Sequence, residues 1–253
     1  MTDESVRYEC NAGLARITLA RPTRANAVDL PAARALGRMV ERAAADPGAR
    51  ALLVRGEGPR FCAGGDVAAV AAATDRSKYL EELATTLDLA LQGLAGLPIP
   101  VVAAVQGAVA GAGLAVMLSC DVIVSADSTK FLMAYAGVGL TPDCGVSSLL
   151  PRAIGQVRAL ELALTGRTLT AAEAHAWGLV TEVVDDDALE TRAAQLAERL
   201  AAGPTFALGQ AKRLLRSSWQ TPREQLGREE ARVIADAVTR VEAAALLTPF
   251  AGR

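Results

Sequence analysis

The sequence predicts an α/β protein with a largely parallel sheet, and three observations support this. Apolar runs at residues 51–54, 101–105 and 121–124 have the length of buried strands, and the first two are rich in valine or leucine. Segments with apolar residues at helical spacing separate these runs. Strands that alternate with helices pair in parallel through right-handed crossovers, so the runs are expected to lie side by side.

The N-terminal part begins with a predicted hairpin and a capped helix. Residues 6–19 contain two strand-like segments around a turn at 11–13, which is typical of a β-hairpin. Asp29 is positioned to cap a helix that ends before the Asp-Pro-Gly sequence at 46–48. A longer helix is predicted over 79–94, where leucines recur at helical spacing.

The second half of the chain is predicted to be mostly helical. A loop over 135–145 precedes helices near 146–152, 156–164, 170–178 and 188–200, one that begins at Pro204, and a last one over 223–247. The third of these starts with a capping-box pattern, Thr-Ala-Ala-Glu. We therefore expect a core over residues 1–190 and a helical region over 191–253.

Composition excludes several classes of function. The 253 residues include 26 basic and 28 acidic side chains, well mixed, which argues against nucleic-acid binding. The polar N-terminus does not resemble a secretory signal, and the four cysteines match no zinc pattern, so a cytoplasmic protein with reduced thiols is expected. The uncharged stretch between Asp88 and Asp121 is broken by prolines and glycines, which favours a buried core over a membrane span.

Common catalytic and phosphate-binding motifs are absent from the sequence. The single histidine, His175, lies within a predicted helix, where a packing role is the usual one. No GxSxG, GxGxxG or GxxxxGK[ST] pattern occurs. Nucleophilic-triad, dinucleotide and P-loop chemistry are therefore not expected, and no metal site is predicted.

Two glycine-rich turns each follow a predicted strand. They are Phe-Cys-Ala-Gly-Gly-Asp at 61–66 and Gln-Gly-Ala-Val-Ala-Gly-Ala-Gly at 106–113. Such turns leave backbone N–H groups free to bind a phosphate or an oxygen that becomes negative during a reaction. The alternative is that both are merely tight turns, but Asp143 in an apolar loop adds a third element to the pattern.

These stretches closely resemble the enoyl-CoA hydratase/isomerase (crotonase) superfamily. Further matching segments lie at 100–121, 139–143, 150–152, 159–166 and 174–180, in family order from the first hairpin to about Lys212. The resemblance implies a crotonase-like spiral of ββα units with a C-terminal helical trimerisation region, assembled as a homotrimer or a dimer of trimers. It also implies an acyl-CoA thioester substrate, with no cofactor because coenzyme A is part of the substrate.

The resemblance assigns the N–H groups of Ala63 and Ala112 to an oxyanion hole for the thioester oxygen. Asp66 is a substrate contact or, as we favour, the cap of the next helix, and Arg24 is either a CoA-phosphate ligand or a solvated loop charge. The full set implied to contact acyl-CoA is Arg24, Ala25, Ala27, Ala63, Gly64, Gly65, Asp66, Ala112 and Tyr135.

The two glutamates of the family's hydratases are missing here, because Ala115 and Tyr135 occupy their positions. A single carboxylate at the position of Asp143 is typical of members that move double bonds, and Met133 to Asp143 look most like the branch of ring-epoxide phenylacetyl-CoA isomerases. Asp143 is thus the predicted base for a β,γ to α,β double-bond shift, since one carboxylate can serve two carbons.

Other interpretations and two departures from the family stay open at this level. The chain could be a hydratase-like enzyme of low or different activity, or a non-catalytic acyl-CoA-binding protein, because a fold does not guarantee chemistry. Asp143 could simply cap the helix that starts near Val146. Cys144 stands where the family usually has glycine, and the tail has Phe250 and Arg253 but no Lys-Arg pair for CoA.

Overall fold

A computed structural model describes residues 5–250 of the chain, so Arg253 lies outside the described residues. The strands are β1 (Val6–Asn11), β2 (Leu14–Leu19), β3 (Ala51–Gly56), β4 (Val101–Val105), β5 (Ala108–Ala110), β6 (Val122–Ala126), β7 (Lys130–Leu132), β8 (Thr168–Thr170) and β9 (Glu182–Val184). The first helices are α1 (Leu30–Ala45), α2 (Val67–Ala72), α3 (Arg76–Gly96), α4 (Ala112–Leu118), α5 (Val146–Ile154) and α6 (Gln156–Thr165). They are followed by α7 (Ala171–Ala176), α8 (Leu189–Ala201), α9 (Thr205–Ser217), α10 (Arg223–Ala237) and α11 (Val241–Leu247).

A six-stranded sheet organises the molecule in the order β1-β2-β3-β4-β6-β9. The β1–β2 pair is the predicted antiparallel hairpin, and every other pair in this sheet is parallel. Leu52 of β3 pairs with Val101 of β4, and Val102 pairs with Val122 of β6. The three apolar runs are therefore adjacent parallel strands, and the predicted α/β class is confirmed.

Helices cover both faces of the sheet. The larger core lies on the face of α1, α3, α4 and α5, where Leu36, Leu87, Leu114 and Phe131 are fully or almost fully buried. On the opposite face, α8 packs its alanines against Val102 and Val124. Helix α8 thus belongs to the core, and the predicted boundary at residue 190 moves past residue 201.

The C-terminal helices lie outside this core. Helix α9 buries only Gly209, and neither α10 nor α11 has a buried residue. Lys212 and Arg216 of α9 pair with Asp121, and Arg213 of α9 pairs with Glu229 of α10, so these helices are attached mainly by polar contacts. Apolar side chains of α10 and α11 stay exposed within residues 5–250. None of the described helices has the length and apolar character needed to cross a bilayer.

A small second sheet positions the glycine-rich turns. Strand β5, which the sequence analysis assigned to the second turn, pairs in parallel with β7, and β7 pairs antiparallel with β8. Cys62 also bridges Val109 of β5 in a parallel arrangement. The segments on either side of the two turns are therefore joined by backbone hydrogen bonds rather than lying separately on the surface.

Candidate active site

The first glycine-rich loop, residues 61–66, runs beside residues 25–28 like a short strand. Val28 N–H donates to the Gly64 carbonyl at 2.8 Å, and Asp66 N–H donates to the Val28 carbonyl at 2.9 Å. Ala63 N–H donates to the Ala25 carbonyl at 3.1 Å. The prediction that Ala63 supplies an oxyanion donor is therefore wrong, because its N–H already has an acceptor.

Gly64 and Gly65 have the amides of this loop that find no backbone acceptor within residues 5–250. The Cβ position of Gly64 is blocked by the Ala110 carbonyl oxygen, 2.9 Å away. Within residues 5–250, the N–H of Gly65 has no hydrogen-bond acceptor. A Cβ built on Gly65 would meet nothing within 4 Å, so this residue borders open space, as an oxygen-binding donor requires.

The second glycine-rich turn, residues 107–113, presents Ala112. Gly111 takes a φ of +51°, a left-handed conformation that favours glycine, and its N–H donates to the Leu132 carbonyl at 3.1 Å. Ala112 is the first residue of α4, so the helix itself offers its N–H no acceptor. No other described residue accepts from this N–H, and the prediction of a free donor at Ala112 fits the structure.

Close backbone approach explains the glycines between the two turns. Ala110 N–H donates to the Cys62 carbonyl at 3.1 Å. A Cβ on Gly113 would lie 2.3 Å from the Cys62 carbonyl oxygen, and a Cβ on Gly64 would lie 2.9 Å from that of Ala110. Only glycine at these positions lets the two turns come this close.

One cavity brings the glycine turns and the loop over 135–145 together. This site cavity is a cleft of about 640 Å³, part of it open to solvent. Asp143 is its one charged lining residue, and Tyr135 is the one other residue there with a polar side chain. The remaining lining residues are glycines or apolar: Val28, Ala63, Gly64, Gly65, Val67, Val70, Leu80, Leu83, Leu87, Gly111, Ala112, Ala134, Val138 and Leu140.

Asp143 is held by Tyr135 across the loop. The Tyr135 hydroxyl donates to Asp143 Oδ1 at 2.7 Å, and both residues are half-buried. Burial, followed by the nearby Asp143 charge, raises the pKa of Tyr135 far above its usual value, so the phenol stays protonated. Helix α5 begins after Gly145 with no side-chain cap, so the interpretation of Asp143 as a cap is wrong.

Asp66, by contrast, belongs to the framework. Its carboxylate accepts from Ala69 N–H at 3.2 Å, which caps α2, and pairs with Arg21 at 3.1 Å. The capping interpretation is confirmed. Asp66 is 7% exposed and does not line the site cavity, and its contact with substrate remains a prediction.

The loop over 21–28 is built by residues that the sequence analysis did not single out. Arg21 also pairs with Asp29 at 2.8 Å and donates to the Ala27 carbonyl. Asn26 is buried and donates to the carbonyls of Glu57 and Arg60. Polar residues such as Arg21 and Asn26 are common in loops, so the sequence alone could not identify their structural roles.

The predicted CoA contacts Arg24, Ala25 and Ala27 lie on this loop and outside the site cavity. The carbonyls of Ala25 and Ala27 bind Ala63 and Arg21, so their structural role is to hold the loop. Arg24 is exposed, and no acidic side chain within residues 5–250 pairs with it. Contact of these three residues with CoA remains a prediction.

Ala115 and Cys144, two residues that differ from the family pattern, are both buried in the structure. Ala115 is fully buried in α4 and does not line the site cavity. Cys144 has a φ of +52°, the left-handed region that favours glycine, and its side chain is buried. Burial, followed by the Asp143 charge, raises the pKa of the Cys144 thiol well above its usual value, which makes it a poor nucleophile.

Known proteins resemble the chain over nearly its whole length. A 1,2-epoxyphenylacetyl-CoA isomerase of Escherichia coli (strain K12) is 41% identical over 220 residues, which are 85% of this chain and 83% of that protein. A protein of Rhodobacter capsulatus, named as a probable enoyl-CoA hydratase, is 37% identical over 223 residues, or 88% of this chain and 85% of its own.

The solved structures agree with these relatives. A crystal structure from Mycobacterium abscessus, described as an enoyl-CoA hydratase/isomerase, matches with a TM-score of 0.91 at 35% identity and covers 97% of this chain and 95% of that one. The crotonase-like α/β fold is thereby confirmed. The profile of the family described as enoyl-CoA hydratase/isomerase matches residues 9–245, and the chain therefore belongs to that family.

Proposed function

We propose that the protein is an acyl-CoA isomerase that moves a β,γ double bond to the α,β position through an enolate. One observation carries this proposal. The site cavity contains a single carboxylate, Asp143, together with two backbone amides, those of Gly65 and Ala112, that have no acceptor within residues 5–250. This is the set of groups that a one-base proton shift requires.

The first step removes a proton from C2 of the substrate. Asp143 takes this proton, and the electron pair moves onto the thioester oxygen, which becomes negative. The N–H groups of Gly65 and Ala112 stabilise that oxygen, and loss of one such donor costs about 3–4 kcal/mol in other enzymes. The apolar lining of the cavity strengthens these interactions because it excludes water.

The second step returns the same proton at C4. The double bond then lies between C2 and C3, conjugated with the thioester, and Asp143 is again a carboxylate. No metal or cofactor takes part, and coenzyme A enters only as part of the substrate. Hydration needs one group to activate water and another to deliver a proton, whereas the site cavity offers a single carboxylate.

A hydratase is the second candidate, favoured by the name of the Rhodobacter capsulatus relative. The two are separated by incubating the protein with matched 3-enoyl-CoA and 2-enoyl-CoA thioesters and identifying the products by mass spectrometry and NMR. An isomerase converts the 3-enoyl thioester without a change in mass. Water addition to the 2-enoyl thioester as the faster reaction would overturn the proposal.

A non-catalytic binder is distinguished by proton exchange. We expect the protein to exchange the C2 protons of a saturated acyl-CoA in deuterated water, because Asp143 can form the enolate without a double bond to move. Binding of the acyl-CoA without exchange or turnover would instead support a binding protein.

Arg24 is the proposed ligand of a CoA phosphate, with Ala25 and Ala27 beside it. It is exposed and has no acidic partner within residues 5–250, so its charge is available to an anion. The change Arg24→Ala should raise KM about fivefold and leave kcat within about twofold, since an exposed charge contact of about 1 kcal/mol binds substrate and transition state equally.

We also propose a homotrimer or dimer of trimers in the cytoplasm. Helices α10 and α11 have no buried residue, and Ile234, Val238 and Val241 are more than half exposed, which supports coverage by other copies of the chain. The four free thiols support a reducing compartment. Light scattering coupled to gel filtration gives the mass directly, and a monomer would contradict the assembly.

A further inference from the structure

Tyr135 touches both halves of the site. Its hydroxyl donates to Asp143 Oδ1 at 2.7 Å. Its ring lies against the second glycine-rich turn, where a Cβ on Gly111 would be 3.7 Å from the Tyr135 Cζ atom. Gly111 directly precedes Ala112, whose N–H is a proposed oxyanion donor. One side chain therefore spans the distance between the base and the oxyanion turn.

Backbone hydrogen bonds fix Tyr135 and the turn it contacts. The Tyr135 carbonyl accepts from Val138 N–H at 3.1 Å and from Leu140 N–H at 3.0 Å. On the other side, Gly111 N–H donates to the Leu132 carbonyl at 3.1 Å. Because both ends are anchored, the ring and hydroxyl have little freedom to move relative to Asp143 and Ala112.

The hydrogen bond leaves the carboxylate partly uncommitted. No cation pairs with Asp143 among residues 5–250, and the neighbouring Cys144 thiol donates to the Ala84 carbonyl at 3.8 Å. The protonated phenol can occupy one oxygen of the carboxylate, which orients the other towards the cavity. A neutral donor fixes the base without the strong attraction that a cation would exert on its charge.

We propose that Tyr135 is a positioning residue: its hydroxyl orients Asp143, and its ring holds that base at a fixed distance from the Ala112 amide. The inference rests on the proposed isomerase function. A side chain that only lined the acyl pocket would affect how the acyl group binds. A side chain that positions Asp143 affects the rate of proton transfer, and this is the role that we assign to Tyr135.

The change Tyr135→Phe separates the hydroxyl from the ring, because phenylalanine keeps the packing on Gly111. We expect kcat for the 3-enoyl thioester to fall about 10- to 100-fold, the usual range for a lost hydrogen bond to a charged group, while KM changes less than about threefold. Tyr135→Leu removes the ring as well and should lower kcat further.

The division of the effect between kcat and KM distinguishes the two roles. A pocket wall holds the acyl group equally in the ground state and the transition state, so its loss raises KM. A residue that orients the base acts on proton transfer, so its loss lowers kcat.

Tyr8→Phe is the matched control. The Tyr8 hydroxyl donates to Asp46 at 2.7 Å, the same kind of bond, and neither residue lines the site cavity. This variant should keep the wild-type kcat and KM. Melting temperatures of all variants are measured so that a folding defect is recognised, and Tyr135→Phe is expected to melt within a few degrees of the wild type.

The outcomes separate this inference from the proposed function. If the wild type does not isomerise 3-enoyl thioesters, the proposed function fails. If the wild type is active and Asp143→Asn is inactive, but Tyr135→Phe keeps the wild-type kcat, the function stands and the positioning role is wrong. A rise in KM alone would also contradict the role.

Discussion

Two loops meet at the site cavity, and each contains one aspartate. The two aspartates have different structural roles. In the loop over 61–66, Asp66 caps α2 and pairs with Arg21, so its lone pairs are committed to the framework. In the loop over 135–145, Asp143 receives one strong hydrogen bond, from the neutral hydroxyl of Tyr135. The first loop thus offers backbone amides and the second offers a reactive side chain.

The comparison teaches that the partners of a carboxylate decide its use. A carboxylate bound by a guanidinium and a backbone N–H has its oxygens occupied by the protein and is not available to a substrate. A carboxylate that borders the cavity and has one neutral donor keeps an oxygen available to a substrate. Asp66 ends a glycine-rich loop, and Asp143 lies in a largely apolar loop. These sequence motifs alone do not distinguish a structural aspartate from a catalytic one.

The largest effect is expected from removing the base. Asp143→Asn keeps the size of the side chain but cannot accept the C2 proton, so kcat for isomerisation should fall about 10²- to 10⁴-fold. Steady-state kinetics on a 3-enoyl-CoA measures this loss, and calorimetric titration should show that acyl-CoA still binds.

Asp66→Asn is the matched change in the other loop. It should leave kcat within about fivefold and instead lower the free energy of unfolding by about 1 kcal/mol, because the ion pair with Arg21 is lost while asparagine still caps α2. A larger loss of kcat in Asp66→Asn than in Asp143→Asn would reverse the assignment of the two loops.

A somewhat smaller effect on the rate is expected from separating the glycine turns. In Gly113→Ala the new Cβ would overlap the Cys62 carbonyl oxygen, so the first loop must shift away from Ala112. Misplacing one oxyanion donor should lower kcat about 10²- to 10³-fold. Gly96→Ala, where a Cβ meets nothing within 4 Å, is the control and should retain activity. Wild-type kinetics in Gly113→Ala would show that the spacing of the turns does not matter.

The smallest effect concerns Cys144 and is one of stability. Its φ of +52° favours glycine, so Cys144→Gly should be more stable than Cys144→Ala by about 1 kcal/mol. At Cys120, which is buried without a positive φ, the order should be reversed, with alanine the more stable. Chemical denaturation of the four variants measures this difference, and the same order at both sites would rule out backbone strain at Cys144.

Local sequence patterns were sufficient for β1 to β4, for β6 and for the capping box at Thr170, but not for the short strands β5, β7, β8 and β9. The role of Asp143 as a base came from the family resemblance and remains a prediction. The assignment of Ala63 was wrong, because the acceptor of its N–H is a carbonyl 38 positions earlier, that of Ala25. Which amide of a glycine loop stays free depends on the segment that crosses it. The Tyr135–Asp143 bond was missed for a related reason, since loop geometry determines whether side chains eight positions apart meet.

The domain boundary shows the same limit. The alanine-rich pattern of α8 is compatible with either a separate helical region or a helix packed on a sheet. Ala193 and Ala197 are fully buried against the parallel strands, and only the assembled sheet reveals that contact.

The most direct test of one-base isomerisation follows a deuterium atom. A 3-enoyl-CoA labelled with deuterium at C2 is converted in ordinary water, and the product is analysed by NMR and mass spectrometry. We predict a 2-enoyl-CoA with part of the deuterium at C4, delivered by Asp143, and no such product from Asp143→Asn. A 3-hydroxyacyl-CoA as the main product, or equal conversion by Asp143→Asn, would contradict the account.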